Sequence, residues 1–211
     1  KVLEYAIHYN IGIGAHPSYP DRKNFGRREM QLSADEIANC VFDQVVLLAE
    51  IAKKHNRMIT HVKPHGALYN SAAKNPQIAK ALADGVLRVD KRLILVGLAG
   101  SPVLDVWRDM GFKTAGEAFA DRLYEPDGSL RPRYFPDALI TDPNRAAEQV
   151  LSIVQQGVVV ASNGAKLKVS AETICLHSDT PNSLAIAAEV RQRLEEAGVE
   201  IRSLAKQPSE G

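Results

Sequence analysis

Five short apolar runs alternate with segments that begin on helix-capping residues, and this alternation constrains the fold more than any other feature. The runs lie at 11–15, 58–63, 93–98, 112–117 and 173–177. Leu93-Ile94-Leu95-Val96-Gly97-Leu98 is apolar throughout, as expected of a parallel strand covered on both faces. Between the runs, Ser33-Ala34-Asp35-Glu36 forms a capping box and predicts a helix to about His55. Asn75-Pro76, Ser101-Pro102, Asp142-Pro143 and Thr180-Pro181 each place a capping residue before a proline. Proline at the first helical position loses no needed donor, and its fixed φ suits the turn. Gly111 and Gly198 fit as helix stops. Runs 158–161 and 166–169, joined by Ser162-Asn163-Gly164-Ala165, predict a hairpin with an Asn-Gly turn.

The order is therefore an opening helix, then strand and helix in alternation, with a late hairpin. This predicts an α/β fold on parallel strands. A closed barrel needs more parallel strands than these five. The opening helix pattern also has no strand before it, so either the sheet is open or strands are missing from the amino end. A chain of 211 residues suits one core, so residues 1–204 are expected to form one domain and the polar residues 205–211 a flexible tail.

Composition excludes some classes. The formal net charge is +1, so no overall field draws nucleic acid or a membrane surface. No apolar stretch approaches the roughly 20 residues of a membrane span. Cys40 and Cys175 lack metal-site spacing and read as reduced core residues of a cytoplasmic protein.

Three of the runs lead directly into a histidine: His16, His65 and His177. In parallel α/β proteins the loops after the strands' carboxyl ends form the site. Histidines there can meet although 49 and 112 positions separate them, serving as base, acid or ligand. The loop Gly14-Ala15-His16-Pro17-Ser18-Tyr19-Pro20-Asp21 continues to Phe25-Gly26-Arg27-Arg28. Arg27 and Arg28 can clamp a carboxylate or phosphate, or one is an ordinary surface charge. In His61-Val62-Lys63-Pro64-His65, strand geometry puts His61, Lys63 and His65 on one side, which is costly to bury without anionic partners. His61 sits deepest and has the strongest purely structural reading. Glu117 and Asp121 are carboxylates at a strand end, suited to pairing with His or Lys, or favoured there by a helix dipole. Arg122 follows them. Asp179 or Thr180 caps the next helix, which explains either without chemistry, whereas His177 has no such explanation. There is no GxxxxGK[ST] loop, HExxH or GxSxG, and Gly12-Ile13-Gly14 lacks the third glycine of a dinucleotide fingerprint.

Five motifs in register carry a resemblance: GAHPSYPD–FGRR at 14–28, VKPHGALYN at 62–70, LVGLAGS at 95–101, EAFADRLYEPDGSLRPR at 117–133 and ICLHSDTPNS at 174–183. From about residue 1 to 202 the chain resembles the LamB/YcsF family, the A subunit of the bacterial ATP-hydrolysing 5-oxoprolinase. The resemblance implies an irregular seven-stranded β/α barrel of the glycoside hydrolase/deacetylase type. Two strand motifs that open such members, DLNCDxGE-like and ANxACGFHAGD-like, are absent here, so the chain is expected to lack the barrel's amino-terminal strands.

The resemblance also implies cleavage of 5-oxoproline to L-glutamate, coupled to hydrolysis of ATP to ADP and phosphate. Partner subunits B and C are implied, with ATP as cofactor and a divalent metal ion as an open second. A lactam is a poor electrophile, and phosphorylation of its oxygen would open the carbonyl carbon to water. Such a site needs cations, a base for water and an acid for the departing nitrogen. The expected catalytic set is His16, Lys63, His65, Glu117, Asp121 and His177, lining one cleft at the strand ends. Arg27, Tyr69, Arg122 and Asp179 are the expected substrate contacts, and no metal ligand is assigned. The competing readings are a metal-dependent amidase or deacetylase with His16, His65 and His177 as ligands, and a non-catalytic subunit that presents substrate.

Overall fold

The computed structural model describes residues 1–205, so the expected tail falls almost wholly outside the described residues. The chain divides into two compact units: Lys1–Ala115 with the chain from Ser203, and Gly116–Arg202.

The first unit runs α1 (Val2–His8), β1 (Ile13–Ala15), α2 (Ala34–Lys53), β2 (Ile59–Val62), α3 (Gly66–Lys74), α4 (Pro76–Leu87), β3 (Ile94–Leu98) and α5 (Val103–Asp109). Strand β4 (Thr114–Phe119) starts in it and ends in the second unit. β1 lies parallel to β2 with Gly14 opposite His61, and β2 lies parallel to β3 with Val62 opposite Leu95. The Leu95 amide donates to the Lys113 carbonyl, just ahead of β4. The core gathers Val41 and Val45 of α2, Leu82 and Val86 of α4, Leu95 of β3 and Trp107 of α5. Each such aliphatic side chain stabilises the fold by roughly 1.5–3 kcal/mol relative to exposure. Trp107 also donates its indole N–H to the Ala79 carbonyl at 2.9 Å, so burial leaves no polar atom unsatisfied there.

In the second unit, α6 (Pro143–Leu151) runs into a π turn, Ser152–Gln156, followed by β5 (Val158–Val160), β6 (Lys166–Lys168), β7 (Thr173–Cys175) and α7 (Ser183–Glu196). β4 lies parallel to β7, with Glu117 opposite Thr173 and Phe119 opposite Cys175. Two small cores form here: Ala120, Val150 and Leu194, and Ile140, Ala146 and Ile186. The sheet order is β1-β2-β3-β4-β7, so the five expected runs form five parallel strands of an α/β fold. Among the described residues this sheet has five strands, against the seven of the expected barrel.

Three caps match expectation. Ser33 and Glu36 close a full capping box, Asn75 accepts from the Gln77 and Ile78 amides, and Asp142 accepts from the Arg145 amide. Two do not. Ser101 turns its hydroxyl back to the Leu98 carbonyl, and α5 starts after Pro102 without a side-chain cap. Neither Asp179 nor Thr180 caps α7, which starts after Asn182, itself at φ +63°. The hairpin is present and antiparallel, but its turn is longer than a two-residue Asn-Gly turn. Gly164 alone takes positive φ (+85°), and the Ala161 amide donates to the Ala165 carbonyl across the loop. β4 also runs two residues further than expected, because Glu117, Ala118 and Phe119 find partners on β7. Glu117 is therefore inside a strand, not at its end.

Candidate functional site

In the first unit the site grows from the end of β2. Its ladder continues past Val62: the Lys63 amide donates to the Ala15 carbonyl and the His65 amide to the Pro17 carbonyl, at 2.9 and 2.8 Å. Lys63 and His65 thus keep the same phase, as strand alternation requires. Gly14 makes room for the ring of His61, since a Cβ there would lie 2.1 Å from its ring nitrogen. Burial, followed by the Lys63 charge, holds the His61 pKa below the ordinary value, so this ring is neutral. Its Nδ1 meets the Thr60 hydroxyl at 2.9 Å. His61 is a packed ring at the strand end.

His16 and His65 meet directly. His16 Nδ1 lies 2.6 Å from the Lys63 carbonyl oxygen, and His16 Nε2 lies 3.0 Å from His65 Nδ1. His65 Nε2 lies 2.9 Å from the Phe25 carbonyl oxygen. The rings stand edge to face at 4.8 Å, and the Phe25 ring stands edge to face with His65 at 5.2 Å. Arg27 sets its guanidinium 5.1 Å from the centre of the Phe25 ring. Tyr69, on the first turn of α3, is buried.

The second unit carries its own cluster. Asp121 is fully buried two residues beyond β4. Its carboxylate accepts from the His177 backbone amide at 3.1 Å, from His177 Nδ1 at 3.0 Å and from the Thr180 hydroxyl. Burial raises the Asp121 pKa, but these donors and the His177 charge outweigh it, and the net direction is down. Because a carboxylate only accepts, Nδ1 carries a proton, and whenever the ring is uncharged its lone pair lies on Nε2. Phe119 stacks on His177, with centroids 5.5 Å apart and planes 15° from parallel. Glu117 is buried within β4. Arg122 is buried too: its guanidinium donates to the Arg131 and Ala138 carbonyls, and burial pulls its pKa to about 10, still charged at neutral pH. Asp179 pairs with Arg133 at 3.5 Å.

Each expected histidine therefore sits at a strand end with a polar partner. Three contributors escaped the sequence reading. Thr180 was hidden behind its use as a cap. Phe119 is the last residue of β4, two before Asp121, and its side chain gave no sign of a partner 58 positions away. Phe25 contributes a backbone carbonyl at φ +56°, and nothing in an aromatic side chain announces that. Among the described residues no three His, Cys, Asp or Glu side chains are arranged to hold a metal ion. No helix among them is long and apolar enough to cross a membrane.

The chain is similar in structure to a lactam utilization protein from Thermus thermophilus, known from its crystal structure. The TM-score is 0.88 at 40% identity, covering 96% of this chain and 81% of that one. Among curated proteins it is similar to the A subunit of 5-oxoprolinase from Pyrococcus furiosus, 45% identical over 95% of this chain and 79% of the relative. The protein of the same name from Chloroflexus aggregans is 49% identical over 92% of this chain and 77% of the relative. That from Acinetobacter baylyi is 44% identical over 96% and 80%. The LamB/YcsF family model matches residues 1–209, and the chain belongs to that family.

Proposed function

We propose that the chain does the work of the A subunit of a 5-oxoprolinase: it serves the ATP-dependent opening of 5-oxoproline to L-glutamate, with release of ADP and phosphate. Relatives of that name, about 45% identical over some 95% of the chain, support the reading. The observation that favours a catalytic over a presenting role is the Asp121–His177 pair. A buried carboxylate that fixes a ring tautomer and leaves Nε2 as a base is costly to build for binding alone. His177 takes the proton of the attacking water, and Asp121 stabilises the imidazolium that forms. Lys63 stabilises negative charge on the substrate carboxylate or on a phosphoryl group, and Glu117 is a second carboxylate for orienting these groups. Subunits B and C complete the enzyme, and ATP is its cosubstrate.

The test is turnover of 5-oxoproline with ATP by the full-length protein, with and without its partner subunits. Lys63→Ala should lower turnover by the assembled enzyme roughly a hundredfold or more while the chain stays folded. Lys63→Arg should not restore it, because a planar fork does not replace a compact ammonium. Near-normal turnover by Lys63→Ala would shift the chain's role to presenting substrate.

A further inference from the structure

The hydrogen bonds around His16 and His65 fix a proton count. The outer nitrogen of each ring faces a backbone carbonyl: His16 Nδ1 faces Lys63 at 2.6 Å, and His65 Nε2 faces Phe25 at 2.9 Å. A carbonyl oxygen only accepts, so both outer nitrogens must carry hydrogen. In two neutral rings the inner nitrogens would then both be lone pairs. Yet His16 Nε2 and His65 Nδ1 lie 3.0 Å apart, at hydrogen-bond distance. Two facing lone pairs at that distance repel, and one further proton turns the contact into a charge-assisted bond.

We propose that His16 and His65 share this one proton and act as a single monocationic acid. Three protons sit on four ring nitrogens, and neither residue titrates as an independent imidazole. Lys63 and Arg27 are cations on the same two segments and oppose the added charge. The fixed carbonyls of Lys63 and Phe25 favour it. The nearer environment supports a held pair: the Phe25 ring packs on the edge of His65, and the His65 backbone is tied to Pro17.

The chemical role of this acid rests on the ring-opening reading, whereas the proton count does not. Breaking a lactam C–N bond sends the electron pair to nitrogen, and nitrogen cannot leave without a proton. The nitrogen takes the shared proton, and the pair is left neutral with two lone pairs facing each other. That state is repulsive, so the pair draws a proton back from solvent before the next turnover.

Two measurements test the proposal. The first is nitrogen-15 imidazole spectroscopy of the full chain at neutral pH, with assignments from His16→Gln and His65→Gln. Both outer nitrogens should be protonated, and the two inner ones should share a single proton. In either variant the remaining histidine should titrate as an ordinary imidazole. Two unprotonated inner nitrogens, or an outer nitrogen without its proton, would overturn the proposal. The second compares 5-oxoproline with its lactone analogue, in which ring oxygen replaces N–H, using the assembled enzyme. His65→Gln should cost roughly a hundredfold on the lactam and far less on the lactone, whose oxygen leaves more readily. Equal losses would overturn the acid role. If the wild-type enzyme opens neither ring, the reading of function fails, and the spectroscopic count still decides the pair.

Discussion

At His177 a buried carboxylate fixes the ring, whereas at His16 and His65 two backbone carbonyls do so. The carboxylate brings a negative charge that stabilises an imidazolium after the proton arrives. The carbonyls bring only dipoles, and they oblige the rings to be protonated on their outer sides from the outset. In the proposed reaction the first arrangement suits a base and the second an acid. On that reading a histidine's task follows from what holds its far nitrogen, and the ring alone does not reveal it.

The comparison breaks most sharply at Asp121. Asp121→Asn keeps the shape but removes the charge and lets the amide donate to Nδ1, which reverses the tautomer. Turnover by the assembled enzyme should fall by about two to four orders of magnitude, the usual worth of positioned acid–base catalysis. A loss under about tenfold would mean that His177 is not the base. Thr180→Val should act more mildly, because it removes one of the donors to Asp121. Hydrogen bonds to charged groups are worth about 1.5–3 kcal/mol, which predicts roughly ten- to hundredfold lower turnover with a raised Asp121 pKa. An unchanged pH–rate profile would count against that coupling.

The smallest effect is on stability against pH, and it separates the two regions by sign and window. Asp121 has a lowered folded pKa, so its contribution is complete above the unfolded value near 3.8 and is lost as pH falls through the folded one. His61 also has a lowered folded pKa, but it is neutral when folded. Its contribution is complete above the unfolded value of 6.5 and declines as pH falls below that, toward the folded pKa. Thermal melts should therefore show a loss beginning below about pH 6.5 that His61→Gln removes and Asp121→Asn leaves in place. A second loss, in strong acid, should respond to Asp121→Asn alone.

What the sequence disclosed follows the range of the interactions. Ser33, Asn75 and Asp142 cap helices through partners two or three residues away, so their roles are local and legible. The five strands were legible from apolar runs, although β4 shifted once Glu117 and Phe119 found partners on a strand about 56 positions further along. Thr180 carried the same local signal as the true caps, but its hydroxyl went to a carboxylate 59 positions away. That competition cannot be read from a window of neighbours. The histidines were legible as lying at strand ends because each followed an apolar run. What holds each ring was not, since the partners are a distant carboxylate in one case and main-chain oxygens in the other.

Phe25 bears on engineering. A bulky residue at φ +56° sits where glycine would be more comfortable. A search for heat-tolerant variants would rank this position among the first to relax, since relieving such a conformation commonly raises stability. Yet its carbonyl is the anchor of His65, and its ring is the wall beside it. Selecting for robustness alone would therefore trade away the aim of the imidazole, and a screen that scored only melting would record the loss of chemistry as progress.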